Sequence, residues 1–110
     1  MLLFVYGTLK SGHRNNHYLE DQELIGEVET EPLYRLFENG YFPMMIKDND
    51  DGYSVSGELW EVDEDILDEL DAHEALYERQ LIEIDGYEEV YSYIYQFELD
   101  DCMECYGAWG

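Results

Sequence analysis

The chain has 110 residues, 45% of them hydrophobic, which is enough for one packed domain and too little for two. Its 28 acidic side chains stand against five Lys and Arg, a formal net charge of −23, so its surface repels phosphate backbones and anionic headgroups and excludes ordinary nucleic-acid and membrane partners from expectation. No apolar run approaches the roughly 18 residues needed to span a bilayer, and Met1–Tyr6 carries no basic leader before Gly7, so a cytoplasmic chain is expected.

Residues 2–6 form an uninterrupted apolar run, the signature of a strand buried on both faces. Residues 7–17 are rich in turn formers and predict a loop leading into a short helix near Tyr18 and Leu19. Strands are expected over 23–31 and 33–37, split by Pro32, which has no amide hydrogen to give to a ladder. Asn39-Gly40 marks a turn before the run 41–46. Residues 47–52 form a polar hairpin tip; the string resembles part of a calcium loop but lacks the ligand spacing and the distal Glu. A strand over 53–62 follows. Asp63 is placed as the N-cap of a helix over 64–72, with Ile66, Leu67 and Leu70 on one face.

Strands over 76–84 and 87–99 are joined at Asp85-Gly86, a strong hairpin signal. In the second of these, Tyr91, Tyr93, Tyr95 and Phe97 share one face by period two. Six to eight strands with one or two short helices predict a single α+β domain over 1–110, a small mixed β-barrel that hides its edges.

Cys102 and Cys105 flank Met103-Glu104 without a second Cys pair or His pair nearby, and His13 and His17 lack a third ligand. Reduced thiols and no bound metal are expected. The acidity admits three readings: a solvated surface, a field that attracts cationic substrates, or a mimic of DNA that occupies a basic protein.

The chemistry is concentrated in the first loop. A buried strand ends in Tyr6-Gly7-Thr8-Leu9, glycine lets the backbone turn and approach a ligand closely, and successive N–H groups there can form a nest for a carboxylate. The string Val5-Tyr6-Gly7-Thr8-Leu9-Lys10, followed by Gly12, Asn15 or Asn16, and Leu19, resembles the opening signature of the γ-glutamylcyclotransferase-like family, in its γ-glutamylamine (AIG2-like) branch. Tyr41-Phe42-Pro43, the strand 55–62 with Gly57-Glu58, the element from Leu67 through Tyr77 and Arg79, and the closing Tyr93–Tyr95 and Ala108-Trp109 are similar to further family segments in the same order.

The resemblance implies a cofactor-free enzyme that releases 5-oxoproline and a free amine from a small-molecule γ-glutamyl substrate. It implies that Tyr6, Gly7, Thr8 and Leu9 hold the glutamyl group. Counting back from Tyr77 and Arg79, the family's catalytic Glu falls on Asp71, and the positions that usually hold Gly and Pro carry Ala72 and Glu74. Three outcomes stay open: the pocket has closed around the shorter Asp71, Glu74 or Glu69 reaches in instead, or the chain is a retired enzyme acting as an acidic binding protein. Arg79 reads as a structural ion-pair partner, and Tyr77 as a pocket wall. The acidic surface suits a lysine- or polyamine-like leaving amine.

Overall fold

The computed structural model describes residues 1–109. Eight strands, one α-helix and one 3-10 turn follow in the order β1 (Leu2–Val5), the 3-10 turn (Asn16–Leu19), β2 (Glu23–Glu29), β3 (Tyr34–Glu38), β4 (Pro43–Lys47), β5 (Ser56–Glu61), α1 (Glu64–His73), β6 (Tyr77–Ile84), β7 (Tyr87–Tyr95) and β8 (Met103–Glu104). Five strands pair in the order β2-β5-β1-β7-β6 and three in the order β4-β3-β8. The large sheet is mixed: β1 runs antiparallel to β5 and parallel to β7.

The apolar run at the start is explained by what lies on each side of it. Phe4 packs with Tyr34, Leu36 and Met45 of the small sheet, whereas Leu3 and Val5 pack with Leu67 and Leu70 of α1. The large sheet is therefore the middle layer, with α1 on one face and the small sheet on the other, and β1 has no solvent face to require a polar residue. β7 is built the same way, with Val90 and Ile94 toward the small sheet and Tyr93 toward the helix.

The α+β class and strand number agree with expectation, but the strands do not close into a barrel. The strand expected over 23–31 ends at Glu29, and after Pro32 the chain founds a second sheet instead of extending the first. The Glu83 N–H of β6 donates to the Tyr34 hydroxyl of β3 at 2.9 Å, a bond between the two sheets, and the Glu31 N–H of the link donates to the Glu83 carbonyl at 2.9 Å. The strand expected over 87–99 ends at Tyr95, so Phe97 leaves the shared face and is exposed.

Asp63 precedes α1 in an extended conformation. Its carbonyl accepts from Ile66 and Leu67, while its side chain makes no capping bond. The Asp85-Gly86 hairpin forms as expected, with Gly86 at φ +87°, a region open to glycine at little cost.

β8 has no strong local signal. It is held by Arg35, whose Nε and Nη2 each donate to Glu104 at 2.9 Å, and by the Tyr53 hydroxyl, which donates to Glu104 Oε2 at 2.9 Å. These bonds hold the Glu104 carboxyl down at about 2. Cys102 and Cys105 flank β8 as free thiols.

So few cations leave most of the 28 carboxylates without a partner, so self-repulsion opposes the compact state. The melting temperature is expected to rise by roughly 2–5 °C between about 0.01 and 0.15 M sodium chloride, as the screening length shortens to ~8 Å. Scanning calorimetry across that range checks it; a flat response would mean that the acids are too dispersed to repel.

Candidate active site

The first loop leaves β1 at Tyr6 and runs beside a cavity of about 390 Å³. On one side the cavity is lined by Gly7, Thr8 and Leu9, and on the other by the segment His73–Tyr77 that joins α1 to β6. Phe42, Pro43, Arg14, Asn15 and Tyr93 complete much of its wall. The loop leaves β1 and the helix end enters β6, and β7 with Tyr93 lies between these two strands, so both border one space.

The loop is held by its own side chains. Asn15 Nδ2 donates to Thr8 Oγ1 at 2.9 Å, its N–H donates to the Thr8 carbonyl at 2.9 Å, and Asn16 Nδ2 donates to the Leu9 carbonyl at 2.8 Å. Both asparagines of the motif are therefore used. From outside, Glu58 accepts from the Ser11 N–H at 2.7 Å. Among the described residues, the N–H groups of Gly7, Thr8 and Leu9 donate to no protein acceptor. The Thr8 hydroxyl accepts from Asn15 and keeps its own proton to give. Three amides without a protein acceptor and a hydroxyl, all on residues that line one cavity, can hold an anion.

Gly7 is required by space. A Cβ placed there would lie 2.5 Å from Pro43 Cγ and 3.0 Å from Pro43 Cδ. The pyrrolidine ring is thereby pressed against the loop backbone, and the Tyr77 hydroxyl fixes the same residue by donating to its carbonyl at 2.7 Å.

Tyr6 has a different role from its three neighbours. Its hydroxyl donates to the Tyr93 carbonyl and accepts from the Met45 N–H at 3.3 Å. Both functions of the phenol are spent tying the large sheet to the small one, and burial pushes its pKa well up. The side chain is thus a clamp, and a substrate contact at Tyr6 would have to come from its backbone or ring.

Asp71 is not on the cavity wall. It lies in the last turn of α1, where Oδ1 accepts from the Tyr93 hydroxyl at 2.8 Å and Oδ2 pairs with Arg79 Nη2 at 3.2 Å. Arg79 also stands 5.0 Å from the Tyr91 ring centroid. Asp71 reaches the cavity only through Tyr93, whose phenol is pushed well up by burial and then by the neighbouring carboxylate.

The carboxylate that lines the cavity is Glu74. Its N–H caps α1 by donating to the Leu70 carbonyl at 2.8 Å, and the chain turns there into β6. Burial raises its carboxyl pKa, opposed in part by His73. The helix C-terminus adds a negative dipole end that also disfavours the ionised form. Glu69 does not line the cavity.

The remaining candidates disperse. His13 stacks on Trp109, with ring centroids 5.1 Å apart, and His17 stacks on Tyr18 at 4.5 Å. Arg14 on the cavity wall carried no local signal in the sequence, and Phe42 was marked only by the segment Tyr41-Phe42-Pro43, with no role attached. Only the apposition of the first loop with the turn before β4 reveals them.

The family model described as gamma-glutamyl cyclotransferase, AIG2-like, matches residues 3–109. A Vibrio cholerae protein whose name provisionally assigns it as a gamma-glutamylcyclotransferase is 40% identical over 98 residues, covering 86% of this chain and 82% of that protein. The gamma-glutamylcyclotransferase family protein YtfP of Escherichia coli is 33% identical over 103 residues, covering 91% and 87%. The solution structure of Escherichia coli ytfP superimposes with a TM-score of 0.75 at 31% identity, covering 97% and 93%. An AIG2-like protein from Mus musculus gives a TM-score of 0.70 at 28% identity, covering 87% and 76%.

Proposed function

The chain belongs to the gamma-glutamyl cyclotransferase, AIG2-like family, and on that premise we propose that it converts a small γ-glutamyl compound into 5-oxoproline and a free amine, with Glu74 as the proton carrier. The observation that carries this reading is the cavity lined on one side by three loop residues whose amides have no protein acceptor and on the other by a single half-buried carboxylate.

The reaction is an intramolecular acyl transfer. The substrate's α-amine nitrogen bonds to its own γ-carbonyl carbon, and the bond from that carbon to the departing nitrogen breaks. The amine loses a proton and the departing nitrogen gains one, so one carboxylate that accepts and returns a proton balances the step without another reactant. The nucleophile is tethered, so holding the glutamyl chain in a folded conformation supplies much of the rate. The Gly7–Leu9 amides would hold the α-carboxylate and the Thr8 hydroxyl would donate beside it. Glu74 would take the amine proton. A carboxyl raised by burial is the better base for this task, because its affinity for protons is closer to that of the groups it serves.

Asp71 then acts at one remove. By accepting from the Tyr93 hydroxyl and pairing with Arg79, it would keep the phenol fixed on the cavity wall. It is a positioning residue in this reading, replacing the role that its alignment with the family's catalytic Glu implied.

Incubating the protein with a panel of γ-glutamyl amino acids and γ-glutamylamines, and quantifying 5-oxoproline with the released amine, tests the proposal. Equimolar 5-oxoproline and amine are expected from at least one substrate. Glutamate in place of 5-oxoproline would make the chain a hydrolase, and no product from any substrate would favour a binding protein on a retired scaffold.

A further inference from the structure

The five cations of this chain are not used alike. Arg35 pairs with Glu104 and Asp48, Arg79 pairs with Asp71, and the Lys10 ammonium donates to the Trp109 carbonyl. Lys47 ends β4 and is not on the cavity wall. Arg14 alone lines the cavity, and among the described residues no carboxylate pairs with it. A guanidinium without an acid partner is unexpected in a chain with 28 acids, where almost any surface position offers one. Its one bond is Nη2 to the Tyr41 carbonyl at 2.9 Å. That carbonyl is itself fixed, because Asn39 Oδ1 accepts from the N–H groups of both Tyr41 and Phe42, at 3.0 and 3.1 Å. The head of Arg14 is thus anchored at the turn before β4 with other N–H donors still unspent.

Arg14 and Tyr41 are exposed, whereas Gly7 and Leu9 are buried. Arg14 therefore stands at the rim and the loop amides lie deep. A glutamyl group held by the loop would direct its departing portion toward the rim. The same cavity wall carries the apolar side chains of Phe42 and Leu76 and the ring of Tyr77. Phe42 and Tyr77 meet edge to face at 6.4 Å.

We propose that Arg14 is the specificity-determining residue of the site, taking the carboxylate of a departing α-amino acid whose apolar side chain rests against Phe42, Leu76 and Tyr77. The inference rests on the cyclotransferase reading and names its substrate class: γ-glutamyl conjugates of apolar amino acids, ahead of γ-glutamylamines, which lack that second carboxylate. It departs from the cationic leaving group suggested by the net charge. Among the described residues Arg14 is the one Lys or Arg on the cavity wall, and acids dispersed elsewhere on the surface are screened beyond about 8–10 Å.

A matched pair tests it: γ-glutamyl-phenylalanine and γ-glutamyl-phenethylamine differ only in the carboxylate. Wild type is expected to favour the first by about tenfold in kcat/KM, the size of a charge-assisted hydrogen bond at a partly exposed site. In Arg14→Gln that ratio should fall to near one, and in Arg14→Lys most of it should return. A ratio near one in wild type, or one unchanged in Arg14→Gln, would overturn the proposal; the second result would mean that Arg14 serves the glutamyl head or the fold. If neither compound yields 5-oxoproline, the cyclotransferase reading fails on its own, and calorimetric titration with the same two compounds still decides Arg14. Tighter binding of the phenylalanine conjugate, lost in Arg14→Gln, supports it. Equal binding of the two, or none of either, overturns it.

Discussion

Glu74→Gln is expected to lower kcat by about 10²–10⁴-fold, the usual worth of a positioned acid–base group. The amide keeps the size and polarity of the side chain but cannot accept the amine proton. Affinity for an unreactive γ-glutamyl analogue should change little, because that contact belongs to the loop amides. Stability should move the other way. Burial raises the folded-state carboxyl pKa of Glu74. For an acid shifted upward, the folded state binds more protons than the unfolded one between the two pKa values. Stability from this group is then complete below the unfolded pKa and is lost as pH rises through the folded pKa. Above the folded-state pKa the ionised Glu74 is a cost, and glutamine removes it. A variant that melts higher than wild type and turns over more slowly is the combined signature, of the kind seen where function is held at the expense of stability. The pH profile of wild-type kcat/KM should lose activity on its acid side with an apparent pKa above the ordinary Glu value, and Glu74→Gln should abolish that limb. A slow variant with an unaltered acid limb would place the proton on another group.

Gly7→Ala is expected to cut kcat/KM by about 10²-fold, comparable to the loss of an aligned donor in an anion-stabilising site. The added methyl cannot coexist with the Pro43 ring, since its carbon would fall 2.5 Å from Cγ. Pro43 cannot easily retreat: its carbonyl is held by Tyr77, and it begins β4. The loop backbone must then move, and with it the three amides. Affinity for the unreactive analogue should fall along with kcat/KM, which separates this variant from Glu74→Gln. The fold should survive with a loss of about 1–3 kcal/mol, typical of overpacking, measured by urea denaturation. Unchanged analogue affinity in a folded Gly7→Ala protein would remove the loop amides from the site.

The sequence displayed the loop more clearly than the carboxylate. Tyr6–Leu9 was legible because a run buried on both faces, ended by glycine, is a local pattern that topology only has to support. The hairpin of β6 and β7 and the helix α1 were legible for the same reason, through Asp85-Gly86 and the spacing of Ile66, Leu67 and Leu70. Barrel closure was not legible, because strand number does not say whether edge strands pair, and β3 pairs with β4 and β8 instead of returning to the large sheet. β8 escaped notice because its two residues are held by Arg35 and Tyr53, distant in sequence.

Which of Asp71 and Glu74 lines the cavity was hidden for a related reason. Spacing from Tyr77 and Arg79 identifies a position, but where a side chain points at a helix end depends on its partners. Arg79 and Tyr93 bind both oxygens of Asp71, and the chain turning out of α1 brings Glu74 to the cavity. Arg14 could not have been singled out from five cations without knowing which of them find an acid.

The most direct test sets the two carboxylates against each other. Steady-state 5-oxoproline release is measured for Glu74→Gln and Asp71→Asn beside wild type, on the best substrate and at one pH. The expected result is a loss of about 10²–10⁴-fold in kcat for Glu74→Gln and no more than about tenfold for Asp71→Asn, which still offers an acceptor to Tyr93. A severe loss in Asp71→Asn with near-normal turnover in Glu74→Gln would contradict the assignment and return the proton to the end of α1.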